Sequence, residues 1–99
     1  MKKVLLACAA GLSTSMMVEA MKKAALAKGL ELEIWAEPVN SALHKVDQVD
    51  VVLLGPQVRY ELAAFQKQAK ETVVKVIDMK HYGIMNGMAV IESIMSDLG

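Results

Sequence analysis

Ninety-nine residues, 55% of them apolar, with 11 basic and 11 acidic side chains, suffice for one hydrophobic core over 1–99. Zero formal net charge leaves no electrostatic footprint for nucleic acid, and the apolar content excludes a disordered chain. A single cysteine excludes an internal disulfide or a multi-cysteine metal site, and no apolar run reaches membrane-spanning length.

In chain order, strands and helices alternate. The apolar run over 3–7 reads as a buried first strand. A helix over 15–28 follows, with Met17, Ala20, Met21 and Ala24 on one face and Gly29 as its stop. Charged and apolar residues alternate over 31–36, predicting a half-buried edge strand that ends at Pro38. Asn40 or Ser41 is a candidate cap for a short helix carrying Ala42, Leu43 and Val46.

The near-continuous apolar run over 50–54 predicts a central strand covered on both faces, closed by Gly55 and Pro56. A third helix is expected over 58–70, with Leu62, Ala63 and Phe65 inward. The fourth strand falls at 72–77 and ends at Asp78. A loop through His81, Tyr82 and Gly83 then leads to Asn86, which caps a last helix striped by Met88, Val90, Ile91, Ile94, Met95 and Leu98. The eight methionines read as core filler and contact surface, and no metal and no cofactor are expected.

This alternation implies an α/β fold: a small doubly wound domain whose four-stranded parallel sheet, in order 2-1-3-4, is flanked by helices. In such sheets the ligand site lies beyond the carboxyl ends of the strands, where the order reverses. That rule brings three segments around one crevice: the segment after strand one, Gly55-Pro56-Gln57, and 78–82. Gln57, Asp78 and Tyr82 are therefore candidate rim residues.

The segment after strand one carries the chemistry. Cys8 is followed by Ala9, Ala10, Gly11 and Leu12, and then by the hydroxyl residues Ser13, Thr14 and Ser15 at the predicted helix start. A lone cysteine ending a buried strand is most often a small hydrophobe, and hydroxyl residues suit an ordinary helix cap. Their conjunction points further. Unpaired N–H groups of a small-residue loop and of a helix N-terminus make an anion cradle, and the same field stabilises a thiolate. Gly11 permits close backbone approach, Ser13, Thr14 and Ser15 offer donors, and Cys8 is the nucleophile.

Several chemistries are excluded. The loop has no lysine for a Walker motif, and Gly11 stands alone where a dinucleotide fingerprint needs three glycines. A receiver domain would need an aspartate where the chain reads Leu54-Gly55-Pro56. His81 is more simply a solvated loop residue than the base of a Cys-His pair, and Arg59, the only arginine, is expected on the surface. A non-catalytic flavodoxin-like module remains open on these residues alone.

The enzymatic competitor is a low-molecular-weight cysteine phosphatase or an arsenate reductase. The phosphatases also place a cysteine after the first strand, but their motif carries an arginine six positions later, where this chain has Thr14. Without that guanidinium the loop lacks bidentate stabilisation of a transferring phosphoryl group.

Three segments resemble the IIB components of bacterial sugar phosphotransferase systems, of the lactose, cellobiose and chitobiose class. They are the run from Cys8 to Ser15, the strand and turn over 50–57, and Val76-Ile77-Asp78 followed by Tyr82-Gly83. The resemblance implies that Cys8 accepts a phosphoryl group from a histidine of a IIA protein. It then passes the group to a sugar held by a membrane IIC protein, the sugar being a β-linked disaccharide such as cellobiose, chitobiose or lactose. Residues Ala9 to Ser15 would form the phosphate loop, with Ala9 where some members carry a serine. A free thiol and the absence of a signal-peptide pattern around Lys2 and Lys3 fit a cytoplasmic protein that meets the membrane only through its partner, without insertion of its own.

Overall fold

The computed structural model describes residues 1–9 and 13–98, with residues 13 and 14 described by their backbone. Four strands form one parallel sheet, β1 (Lys2–Cys8), β2 (Leu32–Pro38), β3 (Val51–Leu54) and β4 (Val73–Val76), in the order β2-β1-β3-β4. This is the predicted fold class and strand order. The register pairs Val4 with Ile34 on one side and with Val51 on the other, and Val51 in turn with Val73.

The strand pleat divides the core. Val4, Leu6, Val51 and Leu53 point to one face, where they pack with Met17, Met21, Ile91 and Ile94. Leu5, Ala7, Val52 and Leu54 point to the other, against Ala42, Val46, Val58 and Phe65. The first face is covered by α1 (Ser13–Ala27) and α5 (Gly87–Ile94). The second is covered by α2 (Val39–Leu43) and α3 (Leu62–Gln68) with the turns beside them. Because β1 and β3 are buried on both sides, their sequences are unbroken apolar runs, whereas edge strand β2 keeps its charged alternation.

Local signals explain the element ends. Gly29 has φ +70°, and the Leu30 N–H reaches back to the Ala25 carbonyl at 2.9 Å, closing α1 as expected. Asn86 caps α5 as expected, its side-chain oxygen accepting from the Ala89 N–H at 3.0 Å.

Other expectations are corrected. The helix α1 starts at Ser13 rather than at residue 15; Val18 and Ala25 join Met17, Met21 and Ala24 on its buried face, and Ala20 is half-buried. The helix α2 starts directly after Pro38 with no side-chain cap, so Asn40 and Ser41 lie inside it. Helix three splits. Pro56–Glu61 is a 3₁₀ segment broken at Val58 (φ −118°), which turns that side chain into the core, and only Leu62–Gln68 is α-helical. Phe65 is fully buried, Leu62 is half-buried and Ala63 faces solvent. His81, Tyr82 and Gly83 are not a loop but part of a one-turn helix, α4 (Met79–Gly83), because Asp78 supplies an N-cap at 2.8 Å to the Lys80 N–H. The last stripe is narrower than expected: Val90, Ile91 and Ile94 are buried, while Met88 and Met95 are 37% and 39% exposed.

Candidate functional site

Cys8 is the last residue of β1, one of the two strands buried on both faces. It shares the parity of Val4 and Leu6, so its side chain belongs to the face that α1 covers. The residue is 8% exposed, and its thiol donates to the Glu37 main-chain carbonyl at 3.9 Å across the β1–β2 pair. Strand β1 lies between β2 and β3, so Cys8 stands where the strand order reverses.

The helix α1 begins five positions later, and its first turn carries no acidic residue to oppose an anion. Ser15 lies in that turn and is exposed. Ala9 is an exposed bend directly after the strand. Ala10, Gly11 and Leu12, and the side-chain donor roles expected of Ser13 and Thr14, lie outside the described residues.

The turn after β3 is tied to the same edge. The Gly55 N–H donates to the Ala7 carbonyl at 3.0 Å. A β-carbon placed at Gly55 would lie 3.1 Å from Gln57 Oε1 and 3.9 Å from both the Ala7 carbonyl oxygen and Tyr82 Cε2. Gln57, Tyr82 and the Ala7 carbonyl thus surround one small volume at Gly55, at the carboxyl end of β1. Tyr82 is 6% exposed and packs into the α1 face of the core, whereas Gln57 is exposed. Asp78 is exposed, and its carboxylate is used as the α4 cap.

Arg59 does not supply the missing loop guanidinium. Its Nη1 donates to the Pro56 carbonyl at 3.0 Å, within its own 3₁₀ segment. His81 is half-buried in α4, and its Nδ1 is buried without a hydrogen-bond partner.

Sequence reasoning did not single out a polar cluster on the opposite face of β2, around the residue whose main-chain carbonyl meets the thiol. The Glu37 carboxylate accepts from Trp35 Nε1 at 2.6 Å and from Lys45 Nζ at 2.8 Å. The Lys45 hydrogen bond, then that of Trp35, hold this carboxyl below the ordinary glutamate range against a smaller opposing effect of burial. The one available signal was the spacing Trp35-x-Glu37, which puts both side chains on one face of β2.

A cavity of about 580 Å³ lies at the opposite end of the strands. It is lined by Asp47, Asp50, Lys70, Thr72 and Asp97 at the entrances to β3 and β4. That end is the wrong one for a doubly wound site. Among the described residues no group of three or more His, Cys, Asp or Glu side chains is arranged to hold a metal. No described helix is long and apolar enough to cross a membrane.

Known proteins match along nearly the whole chain. The chain is 42% identical over 98 residues to the PTS system oligo-beta-mannoside-specific EIIB component of Bacillus subtilis, covering 97% of this chain and 95% of that one. It is 38% identical to both the galactose-specific and the cellobiose-specific EIIB components of Lactococcus lactis, covering 96% of this chain and 97% of each relative.

The solution structure of a cellobiose-specific IIB component from Borrelia burgdorferi superposes with a TM-score of 0.76 at 34% identity, over 97% of this chain and 90% of that one. A lactose-specific IIB domain from Streptococcus pneumoniae superposes with a TM-score of 0.86 over 99% of this chain and 98% of that one. At 15% identity, the second likeness speaks for the fold alone. Residues 3–93 match the family described as "PTS system, Lactose/Cellobiose specific IIB subunit", and the chain belongs to that family of sugar phosphotransferase components.

Proposed function

We propose that this chain is a phosphocarrier unit spanning 1–99, in which Cys8 takes a phosphoryl group from a phosphohistidine of a IIA partner and hands it to a sugar bound by a membrane IIC partner. The supporting observation is the position of Cys8: at the carboxyl end of a central strand, at the order reversal, ahead of an α1 first turn free of carboxylates. In the first half-reaction the Cys8 sulfur attacks phosphorus. The S–P bond forms as the N–P bond breaks, the electron pair returns to the imidazole nitrogen, and the proton lost by the thiol balances the one the imidazole regains. In the second, a sugar hydroxyl oxygen attacks phosphorus: the O–P bond forms as the S–P bond breaks, the electron pair goes to sulfur, and the proton lost by the hydroxyl balances the one that restores the Cys8 thiol.

Ala9, Ala10, Gly11, Leu12, Ser13, Thr14 and Ser15 form the phosphate loop in this reading, with Gln57, Asp78 and Tyr82 at its rim. The chain works in the cytoplasm and reaches the membrane through IIC. Its sugar is a β-linked disaccharide of the cellobiose, chitobiose or lactose kind. The specificities of the relatives (oligo-beta-mannoside, galactose, cellobiose) vary at similar identity. Sugar choice therefore belongs to the IIC partner in this reading.

Phosphatase and arsenate reductase chemistry are disfavoured by Thr14 in place of the loop arginine and by the engagement of Arg59 with the Pro56 carbonyl. The test is phosphoryl transfer from a phosphorylated IIA protein to the wild type and to Cys8→Ser. The wild type is expected to take one phosphoryl group at Cys8 and Cys8→Ser none, because a serine hydroxyl is a far weaker nucleophile at neutral pH. Full labelling of Cys8→Ser would overturn the reading.

A further inference from the structure

Edge strand β2 is paired with β1 alone, and its last residue, Pro38, is the one in register with Cys8. A strand end held from one side gains from a second anchor. Glu37 provides one. Its side chain is 15% exposed and receives two charge-assisted donors, Trp35 Nε1 from its own strand and Lys45 Nζ from the chain beyond α2. Its main-chain carbonyl is the group that accepts the Cys8 thiol at 3.9 Å. The same residue is thus gripped by its carboxylate and touches the sulfur through its backbone.

We propose that Glu37 is a positioning residue for Cys8: clamped by Trp35 and Lys45, it holds the β2 end so that its carbonyl sets the direction of the sulfur. The inference rests on the reading of Cys8 as phosphoryl acceptor. In-line transfer requires the sulfur lone pair to point at phosphorus, and the reaction gains little from the protein beyond positioning and charge. A carbonyl against the sulfur fixes that direction in the resting thiol. It also shields the thiol from unproductive reagents. Releasing the clamp therefore has two opposite consequences: slower phosphorylation, because the sulfur wanders, and faster alkylation, because it is more exposed.

The experiment compares wild type, Glu37→Ala, Glu37→Gln and Lys45→Met. Two rates are measured: phosphoryl acceptance from phosphorylated IIA across donor concentrations, and alkylation of Cys8 by iodoacetamide at one pH. Glu37→Ala is expected to lower the maximal phosphorylation rate about tenfold, within the loss that a misplacement of about 1 Å produces, with the half-saturating donor concentration unchanged. Its alkylation should be faster. Glu37→Gln retains an oxygen for Trp35 or Lys45 and should recover most of both rates, and Lys45→Met should fall between.

Wild-type rates in Glu37→Ala, or a change confined to the half-saturating concentration, would overturn the proposal. So would a Glu37→Gln no better than Glu37→Ala. If Glu37→Ala does not fold, Lys45→Met decides alone, since Lys45 is 45% exposed and removable without opening the core. If the wild type accepts no phosphoryl group, the carrier reading fails. The alkylation rates then still test the clamp, and equal rates across the variants overturn it.

Discussion

Replacing Gly87 by alanine tests how tightly α1 and α5 are locked. Gly87 is the first residue of α5 and is buried against the middle of α1. A β-carbon there would stand 2.3 Å from the Ala20 carbonyl carbon, 2.5 Å from its oxygen and 2.6 Å from the Met21 nitrogen. Carbon–carbon contact is comfortable at about 3.5–4.0 Å, so the helices must part by roughly 1 Å or more. All three clashing atoms are backbone, so no side-chain rotation relieves them. Separation would also loosen Met17, Met21, Ile91 and Ile94.

The expected cost is about 3 kcal/mol, the upper part of the range for overpacked cores. For a chain of this size that is a fall in melting temperature of about 12–24 °C. Thermal denaturation followed by circular dichroism measures it, with Gly83→Ala as the control. At Gly83 an added β-carbon meets nothing within 4 Å, and that variant should melt at or slightly above the wild type. A Gly87→Ala protein melting within about 3 °C of the wild type, a shift worth less than about 1 kcal/mol, would refute the close helix–helix approach.

Phosphorylated Cys8 is expected to persist in buffer and to lose its phosphoryl group quickly when dephosphorylated IIA is added; rapid decay without IIA, with turnover of an aryl phosphate, would favour the phosphatase reading. Phe65→Ala should cost about 3–5 kcal/mol, because the ring is fully buried in the core on the α2–α3 side of the sheet; a denaturant midpoint near that of the wild type would contradict this. Gly29→Ala should cost about 1–2 kcal/mol through its positive φ alone, with open space around the new methyl, and the same melts detect it. The lowered Glu37 carboxyl adds stability that is fully present above the ordinary glutamate value of about 4.3 and is lost as pH falls through its depressed value. Acid titration of the Trp35 fluorescence should show that step, and Glu37→Gln should remove it.

Much of the fold was legible because its signals are local. The unbroken apolar runs of β1 and β3 announced strands buried on both faces, the alternation of β2 announced an edge, and Gly29 and Asn86 marked helix ends through backbone chemistry of their own. The parallel sheet followed from the alternation of elements, since parallel strands need crossovers. The nucleophile candidate was legible for the same reason: a cysteine ending a strand and hydroxyl residues opening a helix are neighbours in sequence. What the chain could not announce were pairings across it. The 3₁₀ break at Val58 exists because the core on the α3 side of the sheet draws that side chain inward. The one-turn helix at 79–83 depends on the cap that Asp78 gives to the Lys80 N–H. The grip of Trp35 and Lys45 on Glu37, and the approach of the Glu37 carbonyl to Cys8 across 29 positions of sequence, arise only when β2 is laid beside β1. Sequence periodicity records which face a residue takes; which distant partner it meets there is decided by the register of the assembled sheet.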